Sequence, residues 1–275
     1  MTKIKIASWN INSVRLRIAQ IAKFAEEASP DIIAIQEIKC LDEQLPRKDF
    51  IAMGYPHMQV SGQKGMHGVA TVSKYPLTRM DTHFCPRDEA RHVSTMVHVG
   101  GVKDFELHNF YIPAGGDEPD AEINPKFAHK LGFLDTMTKY FAERASENAR
   151  KVLVGDFNIA PHENDVWSHK QLLKVVSHTP LEVDILAKLQ ASGDFTDCAR
   201  AFLDDDEKLF SWWSYRSRDI NKSDRGRRLD HIWASPALKD AALDAGKAGH
   251  VVHRDCRFWE RPSDHAPVTQ VFNLG

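Results

Sequence analysis

Cysteine is scarce and scattered. Cys40, Cys85, Cys198 and Cys256 are far apart and form no Cys-x-x-Cys pair. Neither a zinc site nor a disulfide framework is suggested, and a reducing cytoplasm is the simplest setting. No run approaches the roughly 18 apolar residues of a membrane span, so no membrane partner is expected. The opening, Met1 to Trp9, lacks the apolar stretch and small-residue cleavage site of a signal peptide and reads as a strand. No charge of one sign dominates, the formal net charge being −2 over 275 residues. That speaks against a tail-driven binder of polyanions but leaves room for a local basic face. Low-complexity linkers, short repeats, a glycine-rich phosphate loop and a Ser-His-Asp or Cys-His order are also absent.

What is there suits a soluble globular protein with a sizeable core, at 42% hydrophobic and 27% charged residues. Lys3 to Trp9 alternates polar and apolar residues until Asn10 and Asn12 break the run. Ile18, Ile21, Ala22 and Ala25 then share a helical face that Pro30 closes. Ile32 to Ile35 is a continuous apolar run, the mark of a strand buried on both faces. Val69–Val72, Val93–Val99 and Phe105–Tyr111 follow as shorter strands, punctuated by Gly and Pro as in a meander. Asn124-Pro125 reads as a cap and first helical residue, with Phe127, Leu131, Leu134 and Phe141 at helical spacing. Later strands are expected at Lys151–Val154, Leu229–Trp233 and Pro267–Phe272. Strands and helices interleave from end to end, so residues 1–275 are expected to form one α/β domain.

Five of these apolar runs carry polar residues at or beside their ends: Asn10 and Asn12, Glu37, Asp156 and Asn158, Asp230, and Asp264-His265. Each alone has a plain explanation, since an Asn after a strand usually makes a turn. Together they need a common reason, because strand ends hold side chains rigidly at the mouth of an α/β sheet. Magnesium supplies one, as it takes a few carboxylate oxygens plus water and substrate phosphate. Glu37 and Asp264, with Asn10 or Asn12 nearby, would form such an incomplete oxygen shell. The chemistry indicated is metal-assisted hydrolysis of a phosphate ester.

Trp9-Asn10-Ile-Asn12, Gln36-Glu37, Asn109-Phe-Tyr111-Ile-Pro113, Gly155-Asp156-Phe-Asn158, Arg228-Leu-Asp230 and Ser263-Asp264-His265 resemble, in order, the signature blocks of the exonuclease III and abasic-site endonuclease family. The resemblance runs from about residue 3 to 272. It implies a four-layered α/β sandwich of the DNase I-like kind, two facing mixed sheets flanked by helices. It further implies Glu37 as principal ligand of magnesium, for which manganese can substitute, supported by Asn10, Asn12 and Asp264. Asp156, oriented by Asn158, would align or deprotonate the attacking water, and His265, held by Asp230, would donate to a phosphate oxygen shared with Tyr111. An ionised Asp beside a His fixes its tautomer and favours the cation. The implied reactions are incision 5′ of abasic sites, 3′→5′ exonuclease and 3′-phosphatase activity on double-stranded DNA, by a cytoplasmic monomer.

The segment from Tyr215 to Arg228 carries Arg216, Arg218, Lys222, Arg225, Arg227 and Arg228, just after Phe210, Trp212 and Trp213. It reads either as a solvated basic loop beside core aromatics or as a phosphate clamp beside an apolar pocket, with at least one tryptophan expected in the core. By the resemblance, Trp212 and Leu229 line a pocket for an extruded abasic sugar. Arg15, Arg216, Arg225 and Arg228 would contact the DNA backbone, and Gln63 to Gly68 matches a minor-groove loop. Met66-His67 stands there where relatives often carry an aromatic residue. Asp204 to Glu207 reads as a solvated turn, and Asp165 as a brace for the loop after Asn158. Two rivals remain: another phosphoesterase of the same fold, acting on inositol phosphates or resembling DNase I, and a nucleic-acid binder that has lost catalysis.

Overall fold

A computed structural model of the chain describes every residue except Met1, His83, Phe84, Pro86, Asp205, Ser217 and Arg218. The opening alternation forms β1 (Thr2–Asn10), and the apolar run after Pro30 forms β2 (Ile32–Gln36), buried along its whole length. Then come β3 (His57–Ser61), β4 (Val69–Ser73), β5 (Leu77–Arg79), β6 (His92–Val97), β7 (Phe105–Tyr111) and β8 (Lys151–Asp156). The short β9 (Thr196–Asp197), β10 (Trp212–Trp213) and β11 (Gly226–Arg227) precede β12 (Asp230–Ala234), β13 (His250–Val252) and β14 (Val268–Leu274). Two six-stranded sheets result, in the orders β13-β14-β1-β2-β4-β3 and β5-β6-β7-β8-β12-β9, beside the ribbon β10-β11. Both are mixed: β1 and β2 are parallel, as are β7 and β8. The meander expected from Val69 onward is therefore split, because β4 joins the first sheet while β6 and β7 join the second. Apolar periodicity marks a strand without naming its neighbour.

The helices are α1 (Val14–Ala28), α2 (Arg47–Ala52), α3 (Pro125–Glu143), α4 (His169–Leu172), α5 (Pro180–Ser192) and α6 (Pro236–Leu243). On α1 the buried face is centred on Val14, Ile21 and Phe24, with Ile18 and Ala25 at its flank. The helix closes at Ser29 in the left-handed conformation, one residue before Pro30. Asn124 caps α3 by accepting from the Lys126 amide, with Pro125 as its first residue. α5 opens on a reciprocal Thr179–Glu182 capping box, and fully buried Glu182 pairs with Lys130 to lock α5 against α3.

Packing of these faces makes four layers. Between the sheets, Ile4, Ile6, Ile32 and Phe272 meet Leu107, Val152, Val154 and Ile232. On the outer face of the first sheet, Trp9, Ile33 and Ile35 pack on Ile21 and Phe24 of α1. On the outer face of the second, Phe110, Leu153 and Trp233 pack on Phe133, Met137 and Phe141 of α3 and Leu186 of α5. A buried amide pair also bridges the sheets: Gln36 Nε2 donates to Asn109 Oδ1 at 2.7 Å, and Asn109 Nδ2 to the Ala70 carbonyl at 3.0 Å.

Topology then decides where polar ends collect. β1 and β2 run side by side, Asn10 opposite Gln36, and β7 and β8 leave the second sheet with Tyr111 opposite Asp156. Antiparallel β12 enters at that same edge, Asp230 opposite Asp156. Antiparallel β14 begins beside the end of β1, with Val268 opposite Ser8. Four strand exits and two strand entries thus share one mouth.

Candidate active site

Backbone geometry at this mouth is unusual. Asn12, Glu37 and Asn158 have φ of 48°, 51° and 54°, the left-handed region that non-glycine residues occupy at a cost and that clusters at functional sites. Gly155 has φ 142°, and a Cβ there would lie 1.9 Å from the Phe110 carbonyl oxygen of the neighbouring strand. Glycine is therefore required directly before Asp156, and the close approach of β7 fixes that carboxylate in place.

Asp156, His265 and Asp230 form a buried relay. His265 Nδ1 lies 2.8 Å from Asp230 Oδ2, and its Nε2 lies 3.7 Å from Asp156 Oδ2. Burial alone would push the imidazole towards neutrality, but Asp230 and then Asp156 raise its pKa to about 10. The two carboxylates favour its cationic form. For Asp156, burial raises the pKa towards neutrality, reinforced by the Asp230 and Glu37 charges and opposed by His265 and Asn10. The Asn158 amide N–H donates to Asp156 Oδ1 at 3.0 Å, while its side chain donates to the Ile112 carbonyl at 2.9 Å. Orientation of Asp156 by residue 158 thus comes from the backbone. Ser211 Oγ donates to Asp230 Oδ2 at 2.6 Å, and Trp9 Nε1 to the His265 carbonyl at 3.1 Å.

Glu37 sits beside this relay. Its Oε1 accepts from Asn10 Nδ2 at 2.9 Å and from the Tyr111 hydroxyl at 2.8 Å. Its Oε2 faces Lys39 Nζ at 2.8 Å, and the same ammonium lies 2.6 Å from Asn12 Oδ1. Burial works against the Glu37 charge, but Lys39 and Asn10 outweigh it and hold the carboxyl below its ordinary range. Asp264 Oδ1 accepts from Asn12 Nδ2 at 3.1 Å, and Oδ2 from Trp212 Nε1 at 2.9 Å. A cation already placed between Glu37 and Asn12 shows that these oxygens converge on positive charge. Asp264 meets the other end of the Asn12 amide, through Nδ2, and carboxylate and amide oxygens are the hard donors magnesium prefers. Asn10, expected among the ligands, also orients both carboxylates. Its NH₂ reaches both Glu37 and Asp156, and its Oδ1 is taken by the Asn12 amide at 3.1 Å. The Asp156, Asp230 and His265 donor atoms also lie within 4.8 Å of one another. We read them as a relay, because a cationic imidazole with both nitrogens facing carboxylates repels a metal ion.

The expected DNA contacts divide. Arg15, Arg216 and Arg225 are exposed, Arg225 lying over the Trp167 ring. Met66 is exposed at its loop tip. His67, by contrast, is half-buried, its Nε2 3.3 Å from Arg91 and its ring beside Tyr111, so the Met66-His67 pair does not project together. Trp212 is half-buried against Leu229, while Trp213 is the core tryptophan. Arg228 is a correction. It is 1% exposed, held by Asp165 and Asp197, and so cannot clamp phosphate. Arg218 lies outside the described residues. Asp165 does brace the loop after Asn158, pairing with Arg200 as well as Arg228. Glu207 of the acidic turn pairs with Lys247 at the surface, and Asp205 lies outside the described residues. Lys39, Ser211 and Arg91, whose guanidinium lies over the Tyr111 ring, join the site beyond the residues expected from the sequence. Of these, Lys39 carried a legible signal, a cation two residues from Glu37.

The family model for the endonuclease/exonuclease/phosphatase family matches residues 7–265. The chain is 31% identical to exodeoxyribonuclease III of Haemophilus influenzae, over 98% of its own length and 100% of that protein. It superposes on an AP endonuclease from Archaeoglobus fulgidus with a TM-score of 0.85 at 29% identity, covering 98% of this chain and 99% of that one. A 3′ phosphatase from Neisseria, bound to a product DNA hairpin, gives a TM-score of 0.81 at 30% identity, covering 98% and 99%.

Proposed function

The chain belongs to the endonuclease/exonuclease/phosphatase family, and from the site it carries we propose a magnesium-dependent DNA repair nuclease of the exodeoxyribonuclease III type. Its reactions are hydrolysis of the phosphodiester 5′ of an abasic site, leaving a 3′ hydroxyl, and removal of nucleotides or phosphate from 3′ ends of duplex DNA. The observation that carries this reading is His265, held cationic between two carboxylates beside an oxygen cluster already organised around positive charge.

Glu37, Asn12 and Asp264 would hold the magnesium, which when bound stabilises charge on the departing 3′ oxygen. Asp156 takes the proton from the attacking water, its raised pKa lying closer to the working pH than that of an ordinary carboxylate. Cationic His265 faces the growing charge on a non-bridging phosphate oxygen. Tyr111, buried and held protonated far above its usual range, keeps a hydroxyl proton for Glu37 or for phosphate. Beside the site, Trp212 and Leu229 offer an apolar wall to an extruded abasic sugar, and a missing base lowers the cost of extrusion. The four free cysteines suit the cytoplasm of the cell, where we place the enzyme, as a monomer.

Rates measured side by side on an abasic duplex, a 3′-phosphate nick, a blunt duplex and an inositol phosphate test this. We expect turnover of the DNA substrates alone. Preferred turnover of the inositol phosphate would assign the site to a different phosphoesterase.

A further inference from the structure

Residues distant in sequence meet at a second cluster, which Arg91 joins to the Tyr111 edge of the hydrolytic site. Cys85, Glu89 and His129 converge, with one donor atom of each within 4.8 Å of the others. Cys85 and Glu89 lie between β5 and β6 and are half-buried, whereas His129 is buried on α3. A cavity of about 680 Å³ opens onto Cys85 and Glu89, its far wall formed by the Ser61 to Lys64 stretch and Arg79. Glu89 Oε2 faces His129 Nε2 at 3.2 Å and is also bound by Arg91.

We propose that Cys85, Glu89 and His129 bind a borderline-soft divalent cation of the zinc class, with a fourth position open to the cavity. One thiolate, one imidazole and one carboxylate are three zinc ligands in the number that leaves a position for water or a further ligand. Magnesium, which demands oxygens in octahedral array, does not suit a sulfur ligand, so the two sites select different metals. Arg91 is already placed to orient Glu89 as an outer partner of the ion. The Arg91–Glu89 ion pair and the Glu89–His129 hydrogen bond can stand without metal; the Cys85 sulfur beside them adds the soft ligand. Metal binding displaces the thiol proton and should tighten as pH rises. The ion would tie α3 to the segment that meets the Met66 loop, since the Gly68 amide donates to the Ala90 carbonyl at 2.8 Å. This site does not depend on the hydrolytic reading.

The test uses the reduced full-length protein with cobalt(II) as the probe, in saturating magnesium. One equivalent of cobalt should produce a thiolate-to-cobalt charge-transfer band in the near ultraviolet, removed by stoichiometric zinc and unaffected by more magnesium. Cys85→Ser should abolish the band, whereas Cys40→Ser and Cys256→Ser should retain it. Losing an outer-shell partner already costs ~10–100-fold in metal affinity, so His129→Ala should weaken cobalt binding at least that much. No band in the wild type, or a band that survives Cys85→Ser, overturns the proposal. If Cys85→Ser does not fold, the His129→Ala titration decides, and undiminished affinity there overturns it equally.

Discussion

At the residue scale, the proposed chemistry rests on two buried groups whose charges are set by their neighbours. Asp156→Asn keeps the volume, exchanges one accepting oxygen for a donor, and cannot take a proton from water. Its single-turnover cleavage rate should fall by ~10²–10⁴-fold with DNA affinity nearly unchanged. A rate within about threefold of wild type would mean that another group activates the nucleophile, since that lies below the usual range for a general base. His265 makes a separate, signed prediction. Its folded pKa is raised to about 10, so wild-type activity should fall on the alkaline side as the cation is lost. Asp230→Asn removes the largest opposing charge and leaves burial to push the imidazole towards neutrality, so the alkaline fall should begin at lower pH. His265→Asn should lack that limb altogether. Activity that instead rises as His265 deprotonates would make it the base.

At the element scale, the segment from β10 to β12 separates two kinds of arginine that look alike in sequence. Arg225 is exposed and stacked on Trp167, whereas Arg228 is buried between Asp165 and Asp197. Burial alone would raise Asp197, yet Arg228 and then His231 hold it at about 2. Arg225→Ala should flatten the dependence of log K on log salt, whose slope is about −0.9 per phosphate neutralised. Removing one partner of a buried ion pair costs about 3–5 kcal/mol, so Arg228→Ala should destabilise the fold while leaving the slope of the surviving folded protein unchanged. An altered slope in Arg228→Ala would return that residue to the DNA face.

The same segment shows what sequence can and cannot carry. Asp230 and His265 stood out because a carboxylate and an imidazole at strand ends interrupt an apolar pattern. So did the Asn124-Pro125 start of α3, whose signal is local. Arg228 did not declare its burial, because Asp165 and Asp197 approach it only through the fold. Ser211 acts through geometry that no spacing reveals, whereas Lys39 stands two residues from Glu37. β3, with half-buried residues at four of its five positions, gave no clear alternation to read. The pairing of Gln36 with Asn109, and the convergence of Cys85 with His129, likewise exist only once the two sheets face each other and α3 packs over the second.

At the scale of the whole molecule, the site is assembled from both sheets: Asn10, Glu37 and Asp264 from the first and its approaches, Tyr111, Asp156 and Asp230 from the second. Their registration depends on the shared core of Ile4, Ile32, Val154 and Ile232 and on the Gln36–Asn109 strut. We therefore expect one cooperative unfolding transition, coincident by far-ultraviolet circular dichroism and tryptophan fluorescence. Two separated transitions would mean that the sheets fold as independent units.

The central claim is that Glu37 organises a metal-dependent phosphoesterase site acting on damaged DNA. Single-turnover cleavage of a duplex with one abasic site, followed across magnesium concentrations for the wild type and Glu37→Gln, tests it most directly. The account predicts no cleavage in EDTA, recovery on adding magnesium, and a magnesium midpoint raised in Glu37→Gln by at least about tenfold, the lower bound for loss of even an outer metal partner. Full cleavage in EDTA, or identical magnesium midpoints for the two proteins, would contradict it.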